Sequence, residues 1–176
     1  MNSTAAIIEL TDRGLYCAAG DFHIDPWRPV PRAVITHAHA DHARPGNGFY
    51  FAARPGIDIL RHRLGADICH QALEYGEVLE LGRARVSLHS AGHILGSAQV
   101  RVEVDGEVWL VTGDFKRDRD PTCAPFELVR CDTLITEATF ALPIYRWPEL
   151  ATVAAEIHRW WETNAARNRA SVLFCY

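Results

Sequence analysis

Three of the nine histidines fall within six residues, in the run His37-Ala38-His39-Ala40-Asp41-His42. In an extended segment, residues two apart point to the same side, so His37 and His39 can grip one cation together. Asp41 and His42 fall on the turn that follows and can face a second cation nearby. Imidazole mixed with carboxylate suits zinc, and also manganese or iron. The alternative is a polar loop with coincidental histidines. That alternative suits one isolated histidine far better than H-x-H-x-D-H placed directly after a buried strand.

Two distant positions extend the constellation. His93 lies in Ser90-Ala91-Gly92-His93-Ile94-Leu95-Gly96-Ser97, fed by a strand and flanked by small residues. Glycines there let backbone approach closely and leave the imidazole free to project. Alone, His93 would be an ambiguous loop histidine; beside the first cluster it becomes the third nitrogen ligand of the first metal. Asp114 follows a strand-like run in Thr112-Gly113-Asp114-Phe115. A lone carboxylate after a strand usually belongs to a turn or cap. Beside these histidines a bridge between both cations is favoured, since a shared carboxylate sets the short separation of a two-metal site. Asp25, in Ile24-Asp25-Pro26-Trp27, reads equally as a carboxylate that orients a ligand histidine and as a turn aspartate. His89 reads as a packed histidine. His23, His62, His70 and His158 have no partners at metal-site spacing.

Positioning such a set needs strands that end together. Thr4–Leu10 and Gly14–Ala18 read as an opening hairpin, and His23–Trp27 as an extended continuation broken by Pro26 and Pro29. Arg32–Thr36 reads as a buried strand running into the histidine cluster, and Asp58–Leu64 as a helical turn. Glu77–Leu81, Ala84–Ser90, Ser97–Val104, Glu107–Thr112 and Thr133–Thr136 are strand-like. Asp105-Gly106 between two of them is a strong hairpin signal. The spacing of Leu150, Val153, Ala154, Ile157 and Trp161 predicts a helix over Pro148–Asn168, with Pro148 in its first turn. Ser171–Tyr176 reads as a last strand. Strands, then a helix, then a strand fit a layered α/β sandwich.

With 176 residues, 48% of them hydrophobic, the chain suits one domain or a large piece of one. A net charge of -4 argues weakly against a generic polyanion binder, because metal-binding carboxylates contribute to it. Lys116 is the sole lysine among 18 basic residues. The five cysteines, Cys17, Cys69, Cys123, Cys131 and Cys175, show no C-x-x-C spacing and read as buried free thiols in a reducing cytosol. No run approaches membrane-spanning length, so a soluble cytoplasmic protein is expected.

These residues carry a resemblance. Thr36-His37-Ala38-His39-Ala40-Asp41-His42 resembles the signature motif of the metallo-β-lactamase superfamily. Ala91–Ala98 and Thr112-Gly113-Asp114-Phe115 resemble its next two motifs in the nucleic-acid-processing β-CASP branch. That branch includes ribonuclease J, the polyadenylation endonucleases and the interstrand-crosslink repair nucleases. Gly14–Phe22, Ile24–Val30 and Thr136–Pro143 are similar to the bacterial exonucleases associated with an ATP-dependent DNA ligase.

The resemblance implies a metallo-β-lactamase αββα sandwich, present as its N-terminal part over residues 1–145. Residues 146–176 would then be a helix and strand leading into a β-CASP domain that is absent. It makes Asp25 the orienting aspartate of the first motif and places the acidic Glu137 near the metals, against the simpler reading of a solvent-facing strand-end acid. The family's catalytic histidine and the late histidine of its second metal have no counterpart after Asp114. The isolated chain is therefore expected to be aggregation-prone and nearly inactive, with one metal tighter than the other.

The implied activity is metal-dependent phosphodiester hydrolysis by a hydroxide that two divalent cations activate, zinc or manganese. Asp41, Asp114 and Glu137 are its catalytic candidates; His37, His39, Asp41, His42, His93 and Asp114 are its ligands. DNA is the expected substrate, with RNA the alternative, and an ATP-dependent DNA ligase and a helicase the functional associates. Arg44, Lys116 and Arg117 are candidates for phosphate contacts, although plain surface charge explains any one of them as well. Competing readings are a thioesterase or lactonase with the same histidine cluster, and an inert fragment.

Overall fold

A computed structural model describes residues 6–174. The chain divides into two compact units, Met1–Glu137 and Ala138–Tyr176. The first unit is mixed α/β. One sheet takes β1 (Glu9–Thr11), β2 (Gly14–Cys17), β3 (Phe22–Ile24), β4 (Arg32–Val34), β5 (Phe49–Ala53) and β6 (His70–Leu73) in that order. The other runs β11 (Thr133–Ile135), β10 (Glu107–Val111), β9 (Ala98–Val104), β8 (Ala84–Ser90) and β7 (Val78–Leu81). A 3-10 turn, Arg54–Gly56, leads from β5 into helix α1 (Ile57–Leu64).

Period-two alternation explains how the layers assemble. Val34, Phe51 and Ala53 join a cluster with Val86, Leu88, Val100 and Val102, so the two sheets share one core. Their neighbours Ala33, Ile35, Tyr50 and Ala52 face the opposite way and pack with Leu60 of α1. The Asp105-Gly106 turn has φ of +50° and +87° and joins Val104 to Glu107, as the hairpin signal requires. Leu88 is fully buried in the shared core, whereas Val78 is 46% exposed. Leu88→Ala is expected to lower unfolding free energy by about 2–5 kcal/mol. Val78→Ala should change it by less than about 0.5 kcal/mol. Urea denaturation of both variants measures the difference.

Several sequence expectations need correction. The hairpin's first strand is Glu9–Thr11 and not Thr4–Leu10; Thr4 and Ala5 lie outside the described residues. Ser171–Tyr176 is not a strand over 171–174, and Cys175 and Tyr176 lie outside the described residues. A strand exists only by pairing, and Ser171 is instead tied to the preceding helix by Asn164 Nδ2, which donates to its Oγ at 3.0 Å. Among the described residues only Cys17, on the inner face of β2, is a buried thiol; Cys69 is exposed and Cys123 and Cys131 are half-buried, because they sit on connections. Cys175 lies outside the described residues. Among the described residues no helix is long and apolar enough to cross a membrane.

In the second unit α2 spans Leu150–Ala166. Glu149 remains extended with ψ of 131°, so Pro148 precedes the helix instead of sitting in its first turn. Asn168, at φ +51°, turns the chain out of the helix, a conformation asparagine tolerates. Phe140 packs edge-on against Tyr145 and Trp147, with ring centroids 5.1 Å and 5.0 Å away.

Candidate metal centre

The candidate ligands lie just past strand ends. β3 and β4 are parallel and finish in register at Ile24 and Val34, which sets Asp25 beside Thr36. In the other sheet β10 and β11 are parallel, with Val111 opposite Ile135, so Asp114 and Glu137 emerge together. The chain after β8 carries His93. The amide of Ala98 donates to the Thr36 carbonyl at 2.7 Å and links the two groups of strand ends.

Four donor atoms converge. His37 Nε2 lies 3.0 Å from His39 Nδ1, and His93 Nε2 lies 3.3 Å from the same atom. Asp114 Oδ2 is 3.9 Å from His37 Nε2 and 3.7 Å from His93 Nε2. All four lie within 4.8 Å of one another. Zinc–nitrogen bonds of about 2.0–2.1 Å in a tetrahedral site put ligand atoms about 3.4 Å apart, so this spacing fits one shared cation.

The other oxygen of Asp114 faces a second group. Oδ1 lies 3.3 Å from His42 Nε2, and Asp41 Oδ2 lies 3.6 Å from that same nitrogen. Asp114 therefore stands between a set of three imidazoles and a smaller set of one imidazole and one carboxylate. Asp25 touches neither set through its own oxygens in ligand fashion. It turns at φ +43° after β3, accepts the Thr36 amide on Oδ1 at 2.8 Å, and accepts His42 Nδ1–H on Oδ2 at 2.8 Å.

Electrostatics keep His37 and His93 ready for a cation. Burial, with His42, His39 and His93 facing it, pushes His37 down to about 2, so its ring is neutral at ordinary pH. Burial also lowers His93, against the opposing pull of Asp114 and Glu137. Burial would lower His42 too, but its hydrogen bond to Asp25 and the charges of Asp25, Asp114 and Asp41 outweigh that and raise it.

Glu137 is turned toward this region. Its Oε1 accepts the Phe115 amide at 3.0 Å, and its own amide donates to Thr112 Oγ1 at 3.3 Å. Asp25, Asp41, His42, Asp114 and Glu137 line a cleft of about 460 Å³, whose walls also include Trp27 and Arg44. Arg44 Nε donates to the Asp41 carbonyl at 3.3 Å. Lys116 is paired with Asp120 at 3.2 Å, and Arg117 is exposed. Asp120 is held at about 2, first by hydrogen bonds from Thr122 and then by Lys116. His89 bonds Glu127 and Ser87, and His158 lies 3.5 Å from Glu162 one turn along α2.

Sequence spacing did not single out Ser97 or Trp27. Ser97 Oγ accepts the amides of His93 at 3.0 Å and Ile94 at 3.2 Å, and so shapes the loop that presents His93. A serine four residues after a loop histidine is the only local signal for it.

No family model matches the chain. A protein of Opitutus terrae named a probable DNA ligase is 34% identical over 93% of this chain. An RNase J-like protein of Methanocaldococcus jannaschii is 29% identical over 84% of it. A transcription termination factor FttA of Methanothermobacter thermautotrophicus is 30% identical over 74%. The matched stretch spans 16%, 41% and 28% of those three relatives. The similarities support the β-CASP metallo-β-lactamase family.

Proposed function

We propose that the chain carries the metal centre of a nuclease, a hydrolase of phosphodiester bonds, working as a DNA exonuclease in ligase-associated repair. The observation that carries this reading is the placement of Asp114, with its two oxygens facing two separate donor sets. Two divalent cations, zinc by the donor chemistry, would supply an activated water and neutralise charge on the scissile phosphate. His37, His39, His93 and Asp114 would hold the first. Asp41, His42 and Asp114 would hold the second, with Asp25 orienting His42. Arg44 on the cleft wall has the fork geometry to meet a phosphate oxygen, and Glu137 orients the Asp114–Phe115 turn through the Phe115 amide.

The DNA reading is supported by the relative named a probable DNA ligase. The resemblance to ligase-associated exonucleases is what makes an ATP-dependent ligase and a helicase the expected functional partners. The name of the RNase J-like relative favours RNA as a second reading. The test is a set of parallel assays of the full-length protein, with zinc or manganese, on single-stranded DNA, RNA of the same sequence, and thioester and lactone substrates. Release of nucleotides from DNA is the expected result. Faster attack on RNA selects the second reading. Thioester or lactone hydrolysis with both nucleic acids spared overturns both.

The donor sets also predict unequal affinities, since four side chains surround the first position and three the second. Calorimetric titration with zinc should resolve a tight event followed by a weaker one. Two events of equal affinity would contradict the proposed division of ligands.

A further inference from the structure

Thr36 is 1% exposed, and every polar group it has is engaged. Its amide donates to Asp25 Oδ1 at 2.8 Å, and its carbonyl accepts from Ala98. Its hydroxyl oxygen lies 2.5 Å from Asp25 Oδ2 and 3.0 Å from His37 Nδ1. Gly113 leaves the space that the side chain fills, since a Cβ there would fall 2.7 Å from Thr36 Cβ.

The proton positions follow by elimination. A carboxylate only accepts, so the single hydroxyl proton must lie between Thr36 Oγ1 and Asp25; two bare oxygens would repel at that distance. Oγ1 can then only accept from His37. That requires the proton on His37 Nδ1 and leaves the lone pair on Nε2, the atom facing His39 and Asp114. The same Asp25 Oδ2 accepts Nδ1–H of His42, whose Nε2 faces Asp41 and Asp114.

We infer that Thr36 is a positioning residue whose hydroxyl relays Asp25 to His37, so that one carboxylate oxygen sets the ring tautomers on both sides of the centre. The inference rests on the metal-centre reading for its purpose, but the His37 tautomer and the Nδ1 proton of His42 exist without any metal. Metal-binding histidines are commonly held this way by a direct carboxylate or carbonyl. Here one ring is held directly and the other through a threonine.

Two measurements test it. Ring nitrogen NMR of the metal-free wild-type protein reads the tautomers directly: protons on Nδ1 of His37 and His42 are expected, and an Nε2–H form of His37 would overturn the relay. Zinc titration then compares variants. Thr36→Val keeps the backbone groups that make both main-chain bonds and puts a methyl in place of the hydroxyl. It should weaken the tighter zinc event by about 10–100-fold, the range typical of lost outer contacts, and the weaker event by less than about threefold. Thr36→Ser should restore wild-type affinity, and Asp25→Ala should weaken both events. If Thr36→Val leaves the tight event unchanged, or weakens both alike, the relay is wrong. If wild-type protein binds no zinc yet shows the Nδ1–H tautomers, the metal-centre reading fails and the relay stands.

Discussion

Asp114→Ala in the full-length protein is expected to abolish hydrolysis, with a loss on the order of 10³-fold or more, and to reduce bound metal from two ions to one at most. The reason is positional. Asp114 lies 27% exposed after β10, and its side chain meets His37, His93 and His42. These contacts lie at the centre and not in the core, so the variant should fold. Removing the carboxylate takes one donor from each set and also the negative charge that offsets two cations. Elemental analysis and a nuclease assay, with circular dichroism as the control for folding, give the result. A variant that keeps two ions and a rate within tenfold of wild type would show that Asp114 bridges nothing.

Gly92→Ala should damage stability and metal binding together. Gly92 adopts φ +69°, and a Cβ there would lie 2.4 Å from the Lys116 carbonyl and 2.8 Å from the Phe126 amide. Both neighbours are backbone, so neither can rotate away. The loop carrying His93 is also bonded here to the segment after Asp114, because Lys116 N–H donates to the Ala91 carbonyl at 3.0 Å. Pushing these segments apart separates His93 from Asp114. A positive φ alone costs a non-glycine residue about 1–2 kcal/mol. The clash should take the total above about 2 kcal/mol. Gly106→Ala isolates the first contribution, since Gly106 has φ +87° with nothing within 4 Å of its Cβ position. Urea denaturation should find Gly92→Ala the more damaging of the two, and it alone should weaken the tighter zinc event by tenfold or more. Equal losses in the two variants, with unchanged zinc affinity, would remove the close approach from the account.

The sequence by itself determined the parts whose physics is local. The run from His37 to His42 carries its donors within one strand end and turn, so their spacing is visible in the order of residues. The Asp105-Gly106 hairpin and the helical repeat of α2 are legible for the same reason, because each is set by neighbours a few positions away. The tertiary structure decided what depends on distant pairing. His39 and His93 are 54 residues apart and meet only because β4 and β8 end on the same side of a shared core. β5 and β6 follow from pairing in a parallel sheet, where Phe49–Ala53 is held against β4 and β6. A parallel strand buried on both faces shows an apolar run without alternation, and an edge strand such as His70–Leu73 shows little pattern at all. Ser171–Tyr176 has the composition of a strand, yet 171–174 form none, because pairing and not composition makes a strand. Asp25 and Thr36 show the division most clearly. In sequence Asp25 reads equally as an orienting carboxylate and as a turn aspartate, and Thr36 as the end of a strand; only the register of β3 with β4 places the carboxylate against the hydroxyl and both against the histidines.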